Sequence, residues 1–220
     1  MIHIEKGAEP EFWKGFRKKH PKIHYAQLED TEEGKEIRQK LRKHLIAEQY
    51  SVCCYCCREI DSDNSLNEHI KPQSVFSEQT MDYENIIASC RGKNSTCGPH
   101  KDKAYDEALF VSPLDTDCEE HFAFAPDGSI IGLTDKGEYT IKLLGLDSYA
   151  LQSARKAVYY NCINLDPDSL GWYLEPHEGK YEPFIDVIRS IAKPTLQNQP
   201  LSFNLFLWTF RRKACMIVNG

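Results

Sequence analysis

"SVCCYCCREIDSDNSLNEHIKPQS" (residues 51–74) crowds four cysteines into five consecutive positions and sets a Glu-His pair on a strand-like run about a dozen residues later. Packing alone does not call for so many thiols. A second pair, Cys90 and Cys97, follows in "SCRGKNSTCGPHK". Four thiolates in two pairs are the count that closes a tetrahedral zinc site. Two spacings are open in the first cluster, Cys53 with Cys56 or Cys54 with Cys57. The first is favoured, because Tyr55 then precedes the second ligand as a knuckle residue and Arg58 and Ile60 start a strand. A disulfide framework is the competing use of the thiols. The odd total of nine cysteines, the lack of a signal peptide and a length of 220 residues argue against it. Cys118, Cys162 and Cys215 stand apart and read as small buried hydrophobes.

A chain of this length holds one or two domains with a real core. No apolar run reaches the ~18 residues of a membrane span. With no targeting segment recognised, the cytoplasm is the expected compartment. The net charge of −6 argues against a protein that coats nucleic acid. The charge is uneven: residues 1–50 carry 11 Lys and Arg against 9 Asp and Glu, a net +2. Residues 51–110 carry 6 against 10, and residues 111–220 carry 10 against 14, each a net −4. A local basic face on an acidic protein follows.

Three segments are expected. In residues 1–50, Pro21 breaks any helix near "WKGFRKKHPK", and Asp30 can cap a helix running to about Gln49, with Glu33 as its reciprocal partner. Ile37, Leu41 and Leu45 mark its buried stripe. Lys35, Arg38 and Arg42 follow another stripe, either a solvated face or a face that tracks phosphates. Residues 51–110 form the metal module: a knuckle, a strand into "NEHIKP", a loop, a short helix from about Tyr83, and a second knuckle. In residues 111–220, "HFAFAPDGSIIGL" reads as a hairpin turning at Asp127-Gly128. "DSYALQSARKAVYYNCI" reads as a helix capped by Asp147, and "EPFIDVIRSIAK" as one stopped by Pro194. "SFNLFLWTFRRKA" is apolar nearly all round, with Phe203, Phe206, Trp208 and Phe210, and belongs either to the core or under another chain.

A lone histidine is more often structural than catalytic. His69, however, lies between two halves of a metal knuckle with a carboxylate before it. Neighbours in a strand point to opposite faces, so Glu68 and His69 would have different jobs unless the strand end twists. Asn85 precedes Cys90 by five residues, and His100 and Lys101 closely follow Cys97.

Two cysteine pairs framing a Glu-His strand, a middle Asn and a Cys97-x-x-x-Lys101 ending resemble the zinc-framed branch of the HNH nucleases over residues 53–106. The opening "MIHIEKGAEPEFW", the "EHIKPQS" core and the "CGPHK" close are similar to the HNH subunit of Septu-type and retron-linked anti-phage systems, which works with an ATPase partner. The resemblance implies an α+β fold: a ββα-metal module framed by structural Zn²⁺ on Cys53, Cys56, Cys90 and Cys97. A helical N-terminal segment and a mainly helical C-terminal region with the hairpin complete it. His69 would be the general base. A divalent ion, Mg²⁺ by analogy, would polarise the phosphate. Asn85 would orient His69 through its loop backbone. Glu68 stands at the metal-carboxylate position. Gly98 stands where a ligating Asn is common, which leaves His100 as the nearest replacement, and Lys101 and Lys103 would meet phosphate.

The implied activity is metal-dependent cleavage of nucleic acid, DNA before RNA, with a partner supplying the grip that an acidic chain lacks. The competing class is a zinc-ribbon binding module without catalysis. A pure binding module needs neither His69 nor Asn85, and the placement of both between the cysteine pairs favours an enzyme.

Overall fold

The computed structural model describes residues 1–92, 96–101 and 105–197. The expected "SFNLFLWTFRRKA" helix, Lys103 and Cys215 lie outside these residues. The fold is mixed α and β, with two small two-stranded sheets among helices. No helix among the described residues is long and apolar enough to cross a membrane.

The N-terminal part holds two helices. Helix α1 (Glu11–Lys19) buries Trp13 and Phe16, and the Trp13 indole donates to the Met81 carbonyl at 3.2 Å. Burying large side chains like these is worth about 1.5–3 kcal/mol each. A 3₁₀ stretch, Tyr25–Asp30, leads into α2 (Glu32–Glu48). The cap of α2 is Thr31, whose Oγ1 accepts from the Gly34 amide at 3.0 Å, and not Asp30, which closes the 3₁₀ turn. Leu41 and Leu45 are fully buried along the inner stripe.

Strands β1 (Ser65–His69) and β2 (Ile86–Cys90) pair antiparallel, with Glu68 opposite Ile87 and His69 opposite Ile86. The helix expected from about Tyr83 is one 3₁₀ turn, Tyr83–Asn85, and the chain then runs straight into β2. Five consecutive buried residues explain the difference: both faces of β2 are covered, so it shows no alternation. Helix α2 packs on one face of this sheet, where Asn67 Nδ2 donates to the Arg38 carbonyl at 3.0 Å. The short helix α3 (Gly98–Lys101) follows β2 and meets the opposite face, that of Glu68.

Beyond residue 110, β3 (Phe122–Phe124) and β4 (Ile130–Gly132) form the expected hairpin. Gly128 at its turn has φ +85°, and a side chain there would also strike the backbone of Gln152. Helix α4 (Asp135–Leu144) packs on β4 and α3. Helices α5 (Tyr149–Cys162), α6 (Pro167–Tyr173) and α7 (Ile185–Gln197) complete the described fold. Ser148, not Asp147, stands at the α5 N-terminus. Helix α7 runs past Pro194 to Gln197, because its packed face of Ile185, Ile188 and Ala192 secures the axis before the one missing amide. A continuous apolar core joins residues from Met1 through Val187, crossing all three expected segments.

Candidate active site and metal centre

The sulfurs of Cys53, Cys56, Cys90 and Cys97 lie within 4.8 Å of one another, and all four residues are buried. Among the described residues they are the one group of three or more Cys, His, Asp or Glu side chains that converges this closely. The Cys56 and Cys90 sulfurs are 3.8 Å apart, the edge of a tetrahedron with metal–sulfur bonds of about 2.3 Å. Local structure builds the set. Cys57 takes a left-handed backbone (φ 55°) and returns its amide to the Cys53 carbonyl at 3.0 Å, turning Cys53 and Cys56 toward one point. The Cys90 amide donates to the Cys53 sulfur at 3.3 Å. Cys54 and Cys57 stand outside the converging set: Cys54 is buried in the main core beside Cys53, and Cys57 packs with Ile2, Ile185 and Ile188. Burial resists ionisation of Cys53, yet the thiols of Cys54, Cys56, Cys90 and Cys97 donate toward it and hold its pKa well below the usual value. Cys56 and Cys97 are pushed up by sharing the cluster's charge with Cys53. Geometry and donor type fit Zn²⁺, whose binding would expel the remaining protons.

His69 ends β1 on the face toward α2 and is 5 % exposed. Its Nε2 lies 2.9 Å from the Thr80 carbonyl, and Tyr25 meets the ring edge-on at 4.6 Å. A carbonyl only accepts, so Nε2 carries the proton and Nδ1 is left as the basic atom. Burial lowers the His69 pKa to about 4, and the positive charges of Lys101 and Arg38 push the same way. The ring is therefore neutral at physiological pH, as a proton acceptor must be. On the same face, Arg38 stacks over the Tyr25 ring at 5.1 Å and Arg42 donates to Asn67 Oδ1 at 3.4 Å.

Glu68 points the other way. Its carboxylate pairs with the Lys101 ammonium and accepts from Tyr55 Oη at 3.2 Å. That ammonium also bonds the His69 carbonyl, the Ile70 carbonyl at 2.9 Å and Tyr55 Oη at 3.3 Å. Lys101 is 4 % exposed. The expected contact of Lys101 with phosphate is thus replaced by a buried cage of four oxygens. A Cβ built on Gly98 would overlap the Glu68 carboxylate, so glycine is what allows α3 to approach. His100 turns toward α4, with Nδ1 2.9 Å from the Leu143 carbonyl. The bonds of Glu68 and His100 diverge, and the carboxylate already has its cation. As arranged, the two residues do not fit the open, oxygen-rich site that Mg²⁺ demands.

Asn85 Oδ1 accepts from the Lys71 amide at 2.7 Å, while Nδ2 donates to the carbonyls of Lys71 at 3.2 Å and Gln79 at 3.1 Å. It clamps both ends of the loop 71–79 that leads to Thr80 and touches His69 only through that backbone. Three residues of the site escaped the sequence reading in these roles: Tyr25, Thr80 and Tyr55. Of these, only Tyr55 stood inside a recognisable motif, and Arg38 belonged to the basic stripe.

No protein-family profile matches the chain. It is similar to the retron Vc95 protein of Vibrio cholerae serotype O1 biovar El Tor, named by inference as an HNH endonuclease: 33 % identity over 133 residues, 54 % of this chain and 63 % of the relative. It is also similar to the retron Ec83 protein of Escherichia coli, named in the same way, with 27 % identity over 103 residues, 44 % of this chain and 40 % of the relative. The chain spans less than two thirds of the length of either. It resembles the HNH endonucleases of retrons.

Proposed function

We propose that this chain hydrolyses phosphodiester bonds of nucleic acid, DNA before RNA, with His69 as the general base. The carrying observation is the His69 ring, tied at Nε2 to the Thr80 carbonyl and neutral by burial. Nδ1 would take the proton of the attacking water. Thr80 holds the ring in one tautomer, and Asn85 holds the loop that carries Thr80. Arg42, on the same face, favours the negative charge that gathers on the phosphorus oxygens. His69 is 5 % exposed, with Tyr25 and the Thr80 carbonyl packed against the ring. The four cysteines would hold one structural Zn²⁺ that fixes knuckle, sheet and α3 together. The likeness also implies a divalent ion in the reaction, but Glu68 and His100 do not build its site, and no step is assigned to them.

The same proposal gives the chain a place in anti-phage defence beside an ATPase partner, which would supply grip on the duplex. The test is incubation of the purified chain, alone and with a candidate ATPase partner, with supercoiled plasmid and with total RNA in Mg²⁺ buffer. Plasmid nicking that follows the intact chain supports the reading, and degradation of RNA alone would reassign the substrate. The buried Glu68–Lys101 pair favours a second reading, a zinc module that binds nucleic acid without cutting it. Neither substrate being cut in the presence of the partner would favour that one.

A further inference from the structure

Helix α2, the loop 61–64 and the end of β2 enclose a polar cleft of about 430 Å³, lined by Gln39, Arg42, Lys43, Ser62, Asp63 and Arg91. Three of its six lining residues are cations and one is an acid, on a chain with net charge −6. Much of the charged surface is internally paired, as in Lys14 with Glu11, Lys35 with Glu32 and Arg38 with Glu29. Among the described residues the cleft's cations have no acid partner. There Arg42 donates to neutral acceptors, Asn67 Oδ1 and the Ser62 carbonyl, each at 3.4 Å. Those bonds aim its guanidinium without neutralising it. Burial lowers the Arg42 pKa, and the charges of Arg91 and Arg38 add to the effect, as expected where like charges are gathered. Such a gathering is favourable once an anion sits among the charges.

The cleft lies beside His69 on the same face of the sheet. Asn67, which holds Arg42, precedes His69 by two residues, about 7 Å along the strand. A nucleic-acid strand climbs about 3.4 Å per nucleotide, so a phosphate in the cleft would lie within a few nucleotides of one at His69.

We infer that Arg42, Lys43 and Arg91 form a docking site for the phosphate backbone of the nucleic acid, on the face of β1 that carries His69. The inference names the binding face for the proposed hydrolase and rests on that reading. Lys101, buried against Glu68, has no part in it.

The test uses the full chain carrying His69→Ala, so that nothing is cut, and a 30-base-pair DNA duplex followed by fluorescence anisotropy from 20 to 200 mM KCl. Adding Lys43→Gln and Arg91→Gln, both exposed positions, should weaken binding at least about tenfold at 20 mM. It should also reduce the slope of log affinity against log salt by about 0.9 for each lost contact. Lys136→Gln with Lys142→Gln on α4 removes the same charge elsewhere and should change neither quantity. Equal losses in the two variants, no loss in the first, or no binding by the parent would each overturn the inference. A duplex RNA probe showing a larger loss than DNA would keep the site and name RNA as its ligand. The wild-type chain separates this site from the nuclease reading. If it binds through the cleft yet never cuts, with or without the ATPase, the reading fails and the site stands.

Discussion

The Lys101 ammonium is bonded to the Glu68 carboxylate, and both side chains are almost closed to solvent. The pair joins α3 to β1, and two further bonds from the same ammonium secure the carbonyls of His69 and Ile70. Breaking such a pair leaves a charge buried without a partner. Glu68→Gln should therefore destabilise the fold by about 3–5 kcal/mol in urea titrations, whereas Glu68→Gln combined with Lys101→Met should recover a large part of that loss. A single variant as stable as wild type would mean that the pair is open in solution.

The same pairing bears on metal binding. A carboxylate already neutralised by a lysine should hold no divalent ion, so Mn²⁺ titrations followed by electron paramagnetic resonance should give the same affinity for the wild type and for Glu68→Gln. A clear drop in the variant would return Glu68 to the role of metal ligand.

Zinc content should separate the six clustered and paired cysteines. The purified chain is expected to carry one Zn²⁺, lost in Cys53→Ser or Cys90→Ser and kept in Cys54→Ala or Cys57→Ala. Chelation should unfold residues around the knuckles, because binding and folding of such a site are one equilibrium. Zinc loss in Cys57→Ala with retention in Cys53→Ser would reverse the assignment of sulfurs.

Acid should act on stability through His69. Its folded pKa is about 4 against an ordinary 6.5, so between these values the unfolded chain binds a proton that the folded chain refuses. Stability is then complete above about pH 6.5 and falls as pH drops toward 4. His69→Gln should flatten that part of the stability profile. A wild-type profile already flat from pH 6.5 to 4 would show that the ring is not buried as described.

The cysteine set was legible in the sequence because thiol spacing is local and the chemistry of four sulfurs is narrow. His69 stood out for the same reason, as a histidine inside that frame, and its role remains the proposal above. The roles of Lys101 and Tyr55 were not, since each depends on how α3 closes over the sheet. Tyr25 lies outside the frame and Thr80 between its cysteine pairs, 44 and 11 residues from His69, and no pattern links either to the ring before folding. Strand β2 was mistaken for a helix because five buried residues carry no period. Helix α4 was hidden by Gly137, a poor helix former that is needed because a Cβ there would strike the His121 carbonyl.

Asn85→Ala should remove three bonds to the ends of the loop 71–79 while leaving His69 in place. Hydrogen exchange at the Lys71 amide should quicken, and cleavage should fall by less than in His69 variants. An exchange rate unchanged at Lys71 would contradict the clamp.

The central claim is that His69 takes the proton from water at the scissile phosphate. The most direct measurement is the plasmid-nicking rate of His69→Ala beside wild type, with ATPase present and with fold and zinc content verified in both. The expected result is a loss of roughly 10²–10⁴ in rate with zinc and fold retained. Cleavage by His69→Ala at the wild-type rate would contradict the account.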